Sequence, residues 1–124
     1  MNSIFLEETG KTPKVNFDYE NGKIELKGRS IPENPIAFYK PLLIWLEQYA
    51  KEPRQFTEGN FQLEYFNTTS SKCILDVFKR LEKIHKGGSE VVINWYYERG
   101  DEVILETGED YQSIVDVPFK ILEI

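Results

Sequence analysis

Hydrophobic positions near the start of the chain alternate with polar ones, which is the pattern of half-buried β-strands. The alternation covers residues 14–19 and resumes at Ile24, with Asn21-Gly22 between the two runs. Asn-Gly between alternating runs is a strong hairpin signal, because both residue types tolerate positive φ. The pattern therefore predicts a β-hairpin over residues 14–29.

Apolar residues then recur at helical spacing, which predicts a first helix from Asn34 to about Lys51. Asn34 suits the N-cap, and Pro35 suits the first helical position. Pro41 interrupts the pattern, because proline lacks the N–H group that a helix interior needs. This proline either kinks the helix or marks its true start.

Two more helices are predicted in the second half of the chain. One follows a polar run at residues 67–72 and ends at Gly87-Gly88, since glycine commonly terminates helices. The other covers residues 101–115, with a break at Gly108.

The remaining apolar stretches predict strands. Phe61, Leu63 and Tyr65 alternate with polar residues, which indicates a strand over about 60–66 with these three side chains on one face. Residues 91–97 are almost continuously apolar or aromatic, which is typical of a central strand covered on both faces.

The two ends of the chain complete the predicted sheet. Residues 1–11 are mixed in character and indicate a short arm or edge strand, and residues 117–124 alternate as a last strand. Strands alternating with helices predict a single α/β domain over residues 1–124. Its expected architecture is a sandwich with a mixed sheet of four to five strands, an N-terminal hairpin and about three helices.

The composition excludes several classes of function. Acidic residues outnumber basic ones by 21 to 15, for a net charge of −6, whereas nucleic-acid-binding proteins need a basic face. The only cysteine, Cys73, and the only histidine, His85, lie about 18 Å apart on one predicted helix. That separation and that scarcity exclude a disulfide within the chain, a His/Cys zinc site and a cysteine–histidine catalytic pair. We therefore expect no metal, no cofactor and no enzymatic activity.

No segment predicts a membrane location. The N-terminus lacks the basic run and the apolar stretch of a signal peptide. No apolar run approaches the roughly 20 residues that span a bilayer. We expect a cytoplasmic protein.

The most informative local feature is the polar run Asn67-Thr68-Thr69-Ser70-Ser71-Lys72 at the start of the second helix. Any of its first three residues suits the N-cap, which is the simplest interpretation. The alternative is a phosphorylation site, because the exposed N–H groups of a helix start favour a negative charge. The first turn contains no Asp or Glu, so a phosphoryl group would supply the missing anion. Local sequence does not choose among the four hydroxyls.

Four sequence blocks together resemble the SiaC family of bacterial regulatory phosphoproteins. They are Ser30-Ile31-Pro32-Glu33-Asn34, Tyr65 to Lys72, Asn94-Trp95-Tyr96-Tyr97, and Glu106 to Tyr111 followed by Pro118-Phe119. The blocks occur in this order and span nearly the whole chain. The resemblance implies a fold similar to that of anti-sigma-factor antagonists, the STAS type.

The resemblance also implies a function. Members of this family are phosphorylated on a threonine at the start of a helix, directly after an asparagine, and that pattern points to Thr68. Thr69 stands where serine is expected, which makes it an alternative acceptor. A serine/threonine kinase adds the phosphate, and a PP2C-like phosphatase removes it. The unphosphorylated protein binds and activates a diguanylate cyclase, which raises cyclic di-GMP and promotes biofilm formation or aggregation.

On this interpretation, the partner contacts surround the phosphoacceptor, at Asn67, Thr69, Ser70, Ser71 and Lys72. A different class of function uses the same helix start: a small-ligand-binding or catalytic α/β domain whose hydroxyl and N–H groups hold an anion. The absence of a base or a metal set nearby weighs against it. A purely structural subunit is a third possibility.

Overall fold

Six strands form one sheet in the computed structural model, which describes all of residues 1–124. The strands are β1 Ile4–Leu6, β2 Lys14–Asp18, β3 Lys23–Ser30, β4 Phe56–Phe66, β5 Glu90–Tyr97 and β6 Phe119–Glu123. They lie side by side in chain order, antiparallel from β1 to β3 and parallel from β3 to β6. The mixed α/β sheet is confirmed. The predicted count of four to five strands is wrong, because the N-terminal arm pairs with β2 as an additional edge strand.

Three helices connect the parallel strands: α1 Pro35–Tyr49, α2 Thr68–Lys86 and α3 Glu102–Ile114. Right-handed crossovers between strands in chain order place all the helices on one face of the sheet. Each helix packs an aromatic ring on an inward ring of the sheet, with centroids between 4.8 and 5.4 Å apart: Trp45 on Phe17, Phe78 on Phe61, and Tyr111 on Trp95. None of these helices combines the length and the apolar character needed to cross a membrane.

The second face of the sheet carries no helix, so the prediction that residues 91–97 are covered on both faces is wrong. Ile93 and Trp95 are fully buried on the helical face of β5. Val92 and Tyr96 point to the other face and are half-buried. The apolar run of β5 reflects large aromatic side chains on both faces and not a second layer.

The hairpin over residues 14–29 is confirmed, but its turn is longer than Asn-Gly alone. Asp18 pairs with Lys23, which leaves four residues in the turn. Gly22 adopts a φ of 62°, and its N–H group donates to the carbonyl oxygen of Tyr19 at 3.3 Å. Asn21 keeps negative φ, and its side-chain amide donates to the Asp18 carboxylate at 2.7 Å. Glycine alone therefore supplies the left-handed position.

The predicted start of α1 and the predicted end of α2 are confirmed, whereas α1 ends at Tyr49 and not at Lys51. Asn34 caps α1, since its side chain accepts a hydrogen bond from the N–H of Ala37 at 3.1 Å. The helix continues through Pro41, so the alternative start at this proline is wrong. At the end of α2, Gly87 is the C-cap and Gly88 has a φ of 111°.

Gly108 does not break α3, which is continuous from Glu102 to Ile114. This glycine is buried against the indole of Trp95, and a Cβ added there would overlap the indole ring. The close approach lets the Trp95 Nε1–H group donate to the carbonyl oxygen of Ile104 at 2.9 Å. The glycine is thus needed for contact between α3 and β5 and not for a helix end.

Replacing Gly108 with Ala is expected to lower the free energy of unfolding by about 1 kcal/mol. Overpacking costs about 1–3 kcal/mol, which outweighs the helical preference of Ala over Gly. Urea denaturation measures the change. Gly10→Ala is the control, because a Cβ at Gly10 meets no atom within 4 Å. A Gly108→Ala protein as stable as the wild type would contradict this packing argument.

Candidate functional site

The polar run lies at the carboxyl edge of the parallel part of the sheet. β4 ends at Phe66, and α2 begins two residues later at Thr68. β3 and β5 flank β4 in parallel, so the carboxyl ends of all three strands face the same edge. Open α/β sheets usually place their functional residues at this edge.

Asn67 is the N-cap of α2, which settles the choice among the first three residues of the run. Its side-chain oxygen accepts a hydrogen bond from the N–H of Ser70 at 2.8 Å. Its carbonyl oxygen accepts from the N–H of Ser71 at 2.9 Å. The first turn contains no acidic residue, so no side chain of this turn brings a negative charge to the positive end of the helix dipole.

The four hydroxyls of the run divide into two exposed and two anchored groups. Thr68 and Thr69 are exposed, and neither hydroxyl makes a hydrogen bond within the chain. Ser70 is fully buried, and Ser71 is half-buried. Another protein can reach the threonines and the exposed Lys72 directly, but it cannot reach the Ser70 side chain in this conformation.

A buried relay of hydroxyls anchors Ser70. The Ser30 hydroxyl, at the end of β3, donates to the Ser70 hydroxyl at 3.0 Å. Because Ser30 has only one hydroxyl proton, Tyr39 of α1 donates in turn to Ser30, at 2.7 Å. Burial raises the pKa of Tyr39, so its hydroxyl keeps this proton at neutral pH. The relay joins β3, α1 and α2 beneath the exposed threonines.

Tyr111 of α3 anchors Ser71 from the other side. Its hydroxyl donates to the backbone carbonyl oxygen of Ser71 at 2.9 Å and lies 2.8 Å from the Ser71 hydroxyl. The tyrosine proton is used on the carbonyl, so the Ser71 hydroxyl donates the second bond. Burial raises the pKa of Tyr111 to about 12, which keeps it protonated at neutral pH.

A β-bulge turns Tyr65 out of the core beside this turn. Leu63 pairs with Gly28 and Tyr65 pairs with Arg29, so Glu64 is an extra residue in β4. The extra residue moves Tyr65 to the face opposite Phe61, where it is 58% exposed. The prediction that Tyr65 shares a face with Phe61 is therefore wrong.

Tyr65 is part of an apolar patch that the sequence analysis missed. A depression of about 330 Å³ lies between the end of β4 and the start of α3, and its lining includes Tyr65, Phe66, Val103, Ile104 and Thr107. Val103 is 73% exposed, the highest fraction among the large hydrophobic side chains. The only sequence signal for this exposure is the position of Val103 in the first turn of α3, two residues after the N-cap Asp101.

No cavity encloses the polar run itself. None of the five surface depressions of the structure is lined by a residue from Asn67 to Lys72. No group of three or more His, Cys, Asp or Glu side chains is placed to hold a metal ion. The helix start is therefore an open surface and not an enclosed pocket.

A comparison with known families decides the identity of the chain. A family model described as SiaC family regulatory phosphoprotein matches residues 6–124. The chain belongs to the SiaC family. An uncharacterised protein of Pseudomonas aeruginosa (strain UCBPP-PA14) is 30% identical over 121 residues, which cover 98% of this chain and 96% of that protein. Membership of the SiaC family places the chain among regulatory proteins and not among enzymes.

Solved structures of SiaC from Pseudomonas aeruginosa share the fold. One has a TM-score of 0.92 at 28% identity and covers 100% of both chains. A second is the complex of the diguanylate cyclase SiaD with its activator SiaC. Its matching chain has a TM-score of 0.90 at 30% identity, over 98% of this chain and 99% of that chain.

Replacing Asn67 with Ala is expected to lower the free energy of unfolding by about 1 kcal/mol, because the cap to Ser70 is lost. Asn67→Asp keeps an acceptor oxygen and serves as the matched control, with stability close to that of the wild type. Urea denaturation of the three proteins makes the comparison. Equal stability of the Ala variant and the wild type would show that this cap is unimportant.

Proposed function

We propose that this SiaC-family chain is a phosphorylation-controlled activator of a diguanylate cyclase. The unphosphorylated form binds the cyclase through the surface around the start of α2 and raises cyclic di-GMP, which promotes biofilm formation or aggregation. A serine/threonine kinase ends this binding by phosphorylating Thr68, and a PP2C-like phosphatase restores it. The observation that carries the proposal is the exposed, unbonded hydroxyl of Thr68 at the first position of α2.

The likeness to SiaC of Pseudomonas aeruginosa supports the choice of partner. That protein is described as the activator of the diguanylate cyclase SiaD and has been solved in complex with it. The two folds agree along nearly the whole chain, which supports a partner of the same kind.

Thr68 is preferred to Thr69 as the acceptor, although both are exposed. In the family pattern the phosphorylated threonine directly follows an asparagine, and Asn67 here is followed by Thr68. A phosphate on the first helical residue also lies close to the free N–H groups of the first turn, which favour an anion. Thr69 stays the alternative acceptor.

The effect of the phosphate is local. A phosphoryl group adds about −1.5 to −2 charges at neutral pH, which changes little in a chain that already carries −6. At the start of α2, however, it introduces charge where no carboxylate stands. The helix dipole stabilises that charge, so phosphorylation leaves the helix folded.

The apolar patch gives the phosphate a means of blocking a partner. The first turn of α2, residues 68–71, is called the acceptor turn. Tyr65 and Val103 are exposed near this turn and suit the desolvated centre of an interface. A phosphate on Thr68, at the edge of this apolar patch, must lose bound water when the partner binds. That loss costs free energy unless the partner supplies a matching cation. We therefore assign Tyr65 and Val103, together with Asn67, Thr69 and Lys72, to the cyclase-binding surface. Ser70 and Ser71 contribute by holding the turn.

Phosphothreonine introduced at position 68 is expected to reduce activation of the cognate cyclase at least tenfold, because charge and bulk exclude the partner. The rate of cyclic di-GMP formation from GTP is the measurement. Phosphoserine at position 113 is the matched control for added charge. Ser113 is also exposed, and it lies at the end of α3 opposite to Val103. Full activation by the protein phosphorylated at Thr68 would refute the proposal, as would an equal loss at both positions.

Val103→Ser is expected to weaken binding to the cyclase about fivefold, because an apolar contact of about 1 kcal/mol is lost. Ile114→Ser is the control, since Ile114 is 51% exposed on the same helix and its carbonyl oxygen accepts from the Lys79 ammonium group, eleven residues beyond Thr68 in α2. Isothermal titration calorimetry gives both affinities. If the two variants bind equally well, Val103 lies outside the interface.

A further inference from the structure

Two independent sets of hydrogen bonds converge on the inner side of the acceptor turn. One comes from Ser30 through the buried hydroxyl of Ser70, and the other from Tyr111 to Ser71. Their sources lie 40 residues away in the sequence, one before the turn and one after it. Neither set contacts Thr68. One set binds Ser70 and the other binds Ser71, the two residues that complete the first turn of α2.

The first turn of a helix is its least stable part, because its N–H groups lack helical acceptors and helix ends fray. The cap from Asn67 restrains the backbone, but a cap alone does not stop the turn from fraying. Bonds to two successive inner residues, Ser70 and Ser71, hold the first turn of α2 in its helical conformation. With about 100° between successive residues, fixing these two determines the direction of Thr68 and Thr69.

We propose that Ser30, Tyr39 and Tyr111 are positioning residues for phosphorylation of Thr68. They hold the acceptor turn in the orientation that the kinase recognises, and they touch neither the acceptor hydroxyl nor the phosphate. The inference rests on the proposed function, since it requires that Thr68 is the acceptor.

The two sets of hydrogen bonds predict a graded effect of substitutions on phosphorylation of Thr68. Tyr39→Phe removes the outer donor, but Ser30 still bonds Ser70. Ser30→Ala breaks both bonds and leaves the Tyr39 hydroxyl buried without its partner, so it is the more severe change. Tyr111→Phe removes both bonds to Ser71 while keeping the ring that packs on Trp95.

The chain offers a matched control for the loss of a buried tyrosine hydroxyl. Tyr49 of α1 is fully buried, and its hydroxyl lies 2.8 Å from the hydroxyl of the buried Thr57. Thr57 is at the start of β4, about 30 Å along the strand from Phe66 and the acceptor turn. Tyr49→Phe therefore removes the bond to Thr57 and the bond that the hydroxyl accepts from the N–H of Arg54 at 3.3 Å, both at the far end of the sheet.

The test measures phosphorylation of Thr68 by the cognate kinase at a temperature at which every variant is fully folded. The phosphopeptide is quantified by mass spectrometry over a series of protein concentrations. For Tyr111→Phe and Ser30→Ala we expect kcat to fall at least fivefold with KM unchanged within twofold. The kcat of Tyr39→Phe is expected to fall less, and the kcat of Tyr49→Phe is expected to equal that of the wild type.

Amide hydrogen exchange gives a second readout that needs no kinase. The N–H groups of Ser70 and Ser71 are expected to exchange at least tenfold faster in Tyr111→Phe and Ser30→Ala than in the wild type. Tyr49→Phe should leave these two amides unchanged.

The outcomes separate the two proposals. If the kinase does not phosphorylate Thr68 in the wild type, the proposed function fails and the positioning role fails with it. If the wild type is phosphorylated and Tyr111→Phe behaves like Tyr49→Phe, only the positioning role is overturned. Faster phosphorylation of Tyr111→Phe or Ser30→Ala than of the wild type would also overturn the positioning role, because the hydrogen bonds would then hinder phosphorylation of Thr68.

Discussion

The packing of Phe78 holds α2, and with it the acceptor turn, against the rest of the molecule. The ring is fully buried and makes edge-to-face contacts with four other aromatic rings: Phe61 of β4, Trp95 of β5, Tyr111 of α3 and Phe119 of β6. Each such pair adds about 0.5–1.5 kcal/mol beyond the burial of its area. One side chain thus ties the central helix to three strands and to the neighbouring helix.

The acceptor turn combines this rigid support with an exposed outer side. Phe78 lies ten residues after Thr68, about 15 Å along the helix, so the aromatic cluster sets the axis of α2 but not the state of its first turn. That state depends on the cap from Asn67 and on the hydroxyl contacts to Ser70 and Ser71. A modification on the outer side can therefore change what the surface binds without disturbing the core.

Elements with strong local signals were predictable from the sequence. The hairpin follows from alternation around Asn21-Gly22, and the start of α1 follows from Asn34-Pro35. Features that depend on distant contacts were not predictable. Gly108 looked like a helix break because its neighbour Trp95 is far away in the sequence. The apolar run of β5 suggested two covering layers, whereas the order of the strands places all helices on one face.

The candidate site shows the same division. The polar run, the missing acidic residue and the position at a strand end were visible in the sequence, and all three are present in the structure. The division of the hydroxyls into exposed threonines and anchored serines was not, because Ser30 and Tyr111 lie far from the run in the sequence. The bulge that exposes Tyr65 breaks a local alternation that predicted the opposite face.

Reversible control of docking by a phosphate on Thr68 can be tested with one sample. Protein stoichiometrically phosphorylated at Thr68 is titrated into the cognate cyclase by calorimetry, treated with a PP2C-type phosphatase, and titrated again. We expect no measurable binding before treatment and the affinity of the unmodified protein afterwards. The same affinity before and after removal of the phosphate would contradict it.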